Sequence, residues 1–128
     1  MFTILGLDHV ALRVADMSRS VEWYQQVLGF ERQYADVWER PVMLVASQAG
    51  VALFDADPTV RPPNPPPKIG FSHFAMRVDR ASFERAQAYF TANGVAFEYE
   101  DHLICRSIYL YDPDGYRVEL TSYEAAQN

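Results

Sequence analysis

The stretch DHVALRV at residues 8–14 returns as SHFAMRV at residues 72–78, with His, Ala, Arg and Val at matching places. Self-similarity over half a chain points to two copies of one supersecondary unit. A helical pattern follows each copy. Val21, Tyr24, Val27 and Leu28 have helical spacing, with Asp16 or Ser18 as the cap and Gly29 as the stop. In the second half Phe83, Ala86, Tyr89 and Phe90 repeat the spacing, starting near Asp79 or Ser82 and ending at Gly94. Three strand-like runs come after each helix, at 30–37, 42–46 and 51–54, then at 95–100, 104–111 and 116–122. Each half therefore reads βαβββ. The expected fold is α+β, a single domain over 1–128 with a first module at 1–56 and a second at 69–128. Between them, residues 57–68 (DPTVRPPNPPPK) form a proline-rich connector, since proline cannot donate to a sheet ladder. The modules are expected to pair into a cupped mixed sheet with the helices outside.

Strand alternation sorts the repeated segment into two faces. Val10, Leu12 and Val14, like Phe74, Met76 and Val78, make an apolar face for the helices. Leu7, His9, Ala11 and Arg13, like Phe71, His73, Ala75 and Arg77, make the concave face, which puts equivalent histidines on equivalent strands. The ends of the halves also match. GVALFD at 50–55 lies over RVELTS at 117–122, so Glu119 falls opposite Ala52. A carboxylate between Val118 and Leu120 is costly to bury unless something compensates it. A divalent metal shared by His9, His73 and Glu119 would do so. Two imidazoles and one carboxylate suit Fe(II), with Mn(II) or Zn(II) compatible. A lone histidine on such a strand is more often a hydrogen-bonded core residue, and Glu119 can instead pair with Arg13 or Arg77.

Charge narrows the partners. A net charge of −6 argues against nucleic acid and anionic membrane surfaces. Cys105, the single cysteine, cannot form an internal disulfide, and residues 1–6 are too short for a signal h-region, so a cytoplasmic setting is expected.

The segment from Asp101 to Leu120 holds two more candidates. The sequence Asp112-Pro113-Asp114-Gly115 suits a type I turn. His102 is either a solvated loop residue or a proton-transfer group, and Tyr109 either sheet core or a hydrogen-bond donor to substrate. A strict two-residue turn would pair Tyr109 with Val118, so an odd-length loop or a bulge is needed to bring Tyr109 to the face of Glu119.

Together the duplicated βαβββ halves, LDHVALRVADMSRSVEWYQQVLGF, FSHFAMRV and YDPDGYRVEL resemble the vicinal oxygen chelate superfamily over nearly the whole chain. That group includes glyoxalase I, fosfomycin resistance thiol transferases, bleomycin-binding proteins and type I extradiol dioxygenases. The resemblance implies a metal cup with ligands at His9, His73 and Glu119, and a homodimer. Ala52 stands where glyoxalase I has a fourth ligand. Leu120-Thr121-Ser122 match the fosfomycin enzymes poorly. His102, Ile108-Tyr109, Asp112-Pro113, Gly115 and Glu119 follow the spacing of the extradiol tail signature, while Glu100 departs from it. Residues 46–50 lack the histidine many of those enzymes carry, and well-known members are about twice as long, with a second pair of modules. The implied activity is Fe(II)-dependent extradiol cleavage of a catechol-like small aromatic diol by dioxygen, with His102 and Tyr109 as catalytic residues. The alternatives are a small-molecule binding or resistance protein without turnover, its cup lined by Trp38, Phe54 and Tyr99, and a metal-assisted isomerisation or thiol addition.

Overall fold

A computed structural model gives the fold and describes residues 1–61 and 63–127; Pro62 of the connector, and Asn128, lie outside them. The chain forms two compact units, Met1–Asn64 and Pro65–Asn128, and the division falls inside the proline-rich connector.

The first unit runs β1 (Val10–Val14), α1 (Met17–Leu28), β2 (Glu31–Gln33), β3 (Val42–Ala46) and β4 (Ala49–Asp55). Its sheet has the order β1-β4-β3-β2, with β1 parallel to β4 and the other pairs antiparallel. The second unit runs β5 (His73–Arg77), α2 (Arg80–Ala92), β6 (Glu98–Asp101), β7 (Arg106–Tyr111) and β8 (Arg117–Ser122), followed by a short 3-10 helix at Glu124–Ala126. Its order, β5-β8-β7-β6, repeats the first, again with one parallel pair at the edge. Both are βαβββ modules with a mixed sheet, an α+β architecture.

The helices begin where a carboxylate takes an unpaired backbone N–H. Asp16 accepts from the Arg19 amide at 3.1 Å, and Asp79 from the Ser82 amide at 2.7 Å. That bond from Ser82 holds the Asp79 carboxyl below its usual range. Gly29, at φ 72°, closes α1 in the left-handed region that side chains avoid. Inside, Tyr24, Leu44 and Leu53 are buried in the first unit, and Phe83, Phe90, Ile108, Leu110 and Val118 in the second. Each such large apolar side chain contributes about 1.5–3 kcal/mol on full burial.

Several boundaries differ from the sequence pattern. The run 30–37 is a strand only to Gln33, because Tyr34 turns to φ 60° and its carbonyl accepts from Val37 and Trp38. The run 95–100 starts late, at Glu98, since the Val95 amide still closes the end of α2 on the Phe90 carbonyl. Residues 104 and 105 are turn, not strand; His102 and Cys105 are bonded across it and Leu103 sits at φ 72°. Tyr89 is exposed, because it lies about 120° around the helix from Phe83.

One turn positions the site. The Gly115 amide donates to Asp112 across a type I turn, Gly115 adopts φ 87°, and the Asp112 amide then donates to Tyr116. The buried Asp112 carboxylate accepts from the Asp114 and Tyr116 amides at 2.9 Å each, which offsets its desolvation. Three residues thus connect the ladder, with the αL glycine that such hairpins favour. The odd length sets Tyr109 directly opposite Glu119 and Leu110 opposite Val118.

Candidate functional site

Strand parity puts Ser107, Tyr109, Arg117, Glu119 and Thr121 on one face of the second sheet, and Ile108, Leu110, Val118 and Leu120 on the other, toward α2. Glu119 is 8 % exposed. Its Oε1 lies 2.9 Å from His73 Nε2, and its Oε2 accepts from the Ser107 hydroxyl at 2.7 Å. Ser107 has one proton, which goes to the carboxylate, so the Thr121 hydroxyl at 3.0 Å donates to Ser107 in turn. Glu119 thus meets an imidazole and a hydroxyl; Arg77, a partner the sequence left open, lies over the Tyr123 ring instead, 4.8 Å from its centroid.

Both repeated histidines have the Nδ1 nitrogen engaged by the preceding residue. In His73 the partner is the Ser72 hydroxyl at 2.9 Å; in His9 it is the Asp8 carboxylate at 2.7 Å. A carboxylate only accepts, so Asp8 keeps the proton on His9 Nδ1 and leaves the Nε2 lone pair available. Ser72 can donate or accept. His73 Nε2 can therefore donate to Glu119, as the 2.9 Å contact implies, or present a lone pair once the hydroxyl reverses its role. Such outer partners orient metal-ligating imidazoles.

His102 and Tyr109 stand beside this pair. The His102 Nε2 lies 2.9 Å from the Tyr109 hydroxyl and 3.4 Å from Glu100 Oε2, and the His73 and Tyr109 ring centroids are 5.8 Å apart. Burial is the first reason that the Tyr109 phenol is held above its ordinary pKa, and the nearby Glu119 and Glu100 carboxylates add to it. The Arg117 guanidinium, 3.8 Å over the Tyr109 ring, pulls the other way.

The second unit therefore brings His73, Glu119, Tyr109 and His102 together. His9 belongs to the first unit, immediately before β1, with its side chain 42 % exposed. Among the described residues, no group of three or more His, Cys, Asp and Glu side chains stands at metal-holding geometry. Within the second unit, an oriented imidazole and a buried carboxylate, His73 and Glu119, are donor types that suit a divalent ion. Tyr99 does not share this face. It pairs with Ile108 on the helix side, and its ring lies 6.4 Å from that of Phe83. Ser107, Ser72 and Asp8 were not among the sequence candidates, although parity with Glu119 and adjacency to each histidine were available signals.

The model of the glyoxalase/bleomycin resistance protein/dioxygenase superfamily matches residues 6–120. The glutathione transferase FosA of Serratia marcescens is 27 % identical over 115 residues, covering 90 % of this chain and 79 % of that protein. The catechol-2,3-dioxygenase of Bacillus subtilis (strain 168) is 28 % identical over 116 residues, 89 % of this chain but only 40 % of the dioxygenase. Among solved structures, an integron cassette protein from the mobile metagenome of the Halifax Harbour sewage outfall superimposes with a TM-score of 0.74 at 26 % identity, covering 93 % of this chain and 99 % of that one. Among the described residues, no helix is long and apolar enough to cross a membrane.

Proposed function

Because the chain belongs to the glyoxalase/bleomycin resistance protein/dioxygenase superfamily, we propose that it is a metal-dependent enzyme that opens the ring of a catechol-like diol beside its hydroxyls, with dioxygen as co-substrate. His9, His73 and Glu119 would hold Fe(II), with Mn(II) or Zn(II) as compatible ions. The observation that carries the reading is the convergence of the His73–Glu119 pair and the His102–Tyr109 pair on one sheet face.

A bound divalent ion supplies Lewis-acid chemistry, making a diol hydroxyl more acidic and holding both reactants close. The protein's own groups do the rest. Ser107 fixes Glu119 Oε2, which leaves Oε1 as the oxygen turned to His73 and to a ligand. Tyr109 keeps its proton at neutral pH, since its pKa is raised, and donates a hydrogen bond to a substrate oxygen. His102, aligned by Glu100, takes or returns a proton at Nε2. The single cysteine fits a cytoplasmic setting, and homodimerisation is part of the same reading.

The test is oxygen uptake by protein reconstituted anaerobically with Fe(II) and given a panel of catechols. Uptake with a yellow product, lost in His9→Ala and depressed in His102→Ala with metal still bound, is the expected result. Metal binding without uptake would sink ring cleavage for those substrates. A second reading, metal-assisted thiol addition, draws on the 79 % length match to the glutathione transferase. Turnover with a thiol that is indifferent to oxygen separates it from the first. A co-purifying ligand with no metal would favour a binding protein.

A further inference from the structure

Arg117 has no counterpart in the reading above. It lies directly opposite His73 in the parallel β5–β8 pair and two residues before Glu119 on the same face, about 7 Å along the strand. Its guanidinium carbon stands over the Tyr109 ring, 3.8 Å from the centroid. A cation–π contact of this kind leaves N–H donors unspent. The Nε donor is buried and has no hydrogen-bond acceptor among the described residues. A buried donor left unpaired is costly, so its persistence calls for an explanation.

The other arginines of the unit have other roles. Arg77 lies over Tyr123, Arg80 binds the carbonyls of Glu124 and Gln127, and Arg85 donates to the Ser82 hydroxyl. Arg106 also has an orphaned Nε, but that atom is 3.8 Å from the Asp101 carboxylate, and Arg106 alternates onto the side of Ile108 and Leu110. Only Arg117 combines an unpartnered guanidinium donor with a place on the His73–Glu119 face, among the described residues.

We propose that Arg117 is a specificity subsite for an anionic substituent, and that the substrate is an aromatic diol bearing a carboxylate. This deepens the function proposed above and rests on it for the diol and the metal. A guanidinium takes a carboxylate through two parallel N–H···O bonds, a geometry no neutral acceptor matches. The separation from Glu119 to Arg117 is comparable with the width of a substituted benzene ring, so one end of the ligand meets the metal-binding groups while the other meets Arg117. Tyr109 braces the guanidinium from behind and limits the entropy lost when the ligand binds.

The test is calorimetric titration of Mn(II)-loaded protein with 3,4-dihydroxybenzoate, catechol and benzoate. The carboxylated diol is expected to bind about ten- to a hundredfold more tightly than catechol, as a charged hydrogen-bonded pair allows. Arg117→Met should bring the two diols to the same affinity, and Arg117→Lys should keep part of the difference. Equal affinities in the unaltered protein would overturn the subsite, and so would an unchanged ratio in Arg117→Met or the absence of binding by all three ligands. Oxygen uptake is read separately on Fe(II)-loaded protein. A binding difference without uptake removes ring cleavage and leaves the subsite; uptake with equal affinities removes the subsite alone.

Discussion

The two units share strand order, helix position and capping chemistry, yet they place different side chains at equivalent points. Ala11 pairs with Ala52 in the first, Ala75 with Glu119 in the second. Across the central antiparallel pair, Met43 faces Ala52 where Tyr109 faces Glu119. Next to His9 lies Gly50, and a Cβ there would stand 2.8 Å from the Asp8 carbonyl oxygen and 3.1 Å from His9 Cβ. Next to His73 lies Arg117. The first unit thus offers one histidine beside alanine and glycine positions. Its relative in sequence carries the carboxylate, the phenol, the second histidine and the guanidinium. Duplication conserved the frame, and the polar chemistry gathered in one copy.

That asymmetry can be broken by moving residues between copies. Ala52→Glu puts a carboxylate in a site 2 % exposed that has no equivalent of Ser107, since Pro41 precedes β3. It should destabilise the protein by about 3–5 kcal/mol, the cost of an uncompensated buried charge, as measured by urea denaturation. A loss under about 1 kcal/mol would mean that the two positions are interchangeable. Glu119→Gln should weaken Mn(II) binding beyond the roughly 10–100-fold that loss of an outer partner costs. Retained affinity in a metal titration would count against Glu119 as a ligand.

The outer partners sharpen the comparison further. Asp8→Asn removes a group that only accepts, and metal affinity should fall about 10–100-fold. Ser72→Ala should cost less, because the hydroxyl fixes no single tautomer of His73. The reverse order would show that the two histidines are oriented by something other than these neighbours. The smallest effect is shared by both copies: Asp16→Ala should cost about 1 kcal/mol in thermal or urea unfolding, through loss of its bond to the Arg19 amide. A loss of the same sign is expected at Asp79, whose carboxyl is held below its usual range by the bond from Ser82.

Much of the frame was legible because local signals agreed with the tertiary outcome. Asp16, Asp79, Gly29 and the alternation of Val10, Leu12 and Val14 each act within a few residues, and β3 at Val42–Ala46 matches its apolar run. Two of the misread boundaries are places where the backbone leaves the ladder with an ordinary side chain at positive φ, at Tyr34 and Leu103, which carry no glycine-like marker. That Glu119 and Ala52 hold equivalent positions in the two units was readable from the repeat. That Ser107 lies between Glu119 and Thr121 was not, because a serine in a strand has no period of its own and acquires meaning only from its cross-strand neighbours.

The turn at residues 112–116 has a consequence for how such a chain can change over time. Its three-residue length decides whether Tyr109 and Glu119 share a face, since a shift of one residue sends every side chain of a strand to the opposite side. A single-residue insertion or deletion there would separate the two groups without touching either. Along the connector at 57–68, length carries no such parity. Natural variation in length should therefore collect in that connector and skip the turn, so that the shortest hairpin near the site is also the part of the chain least free to grow.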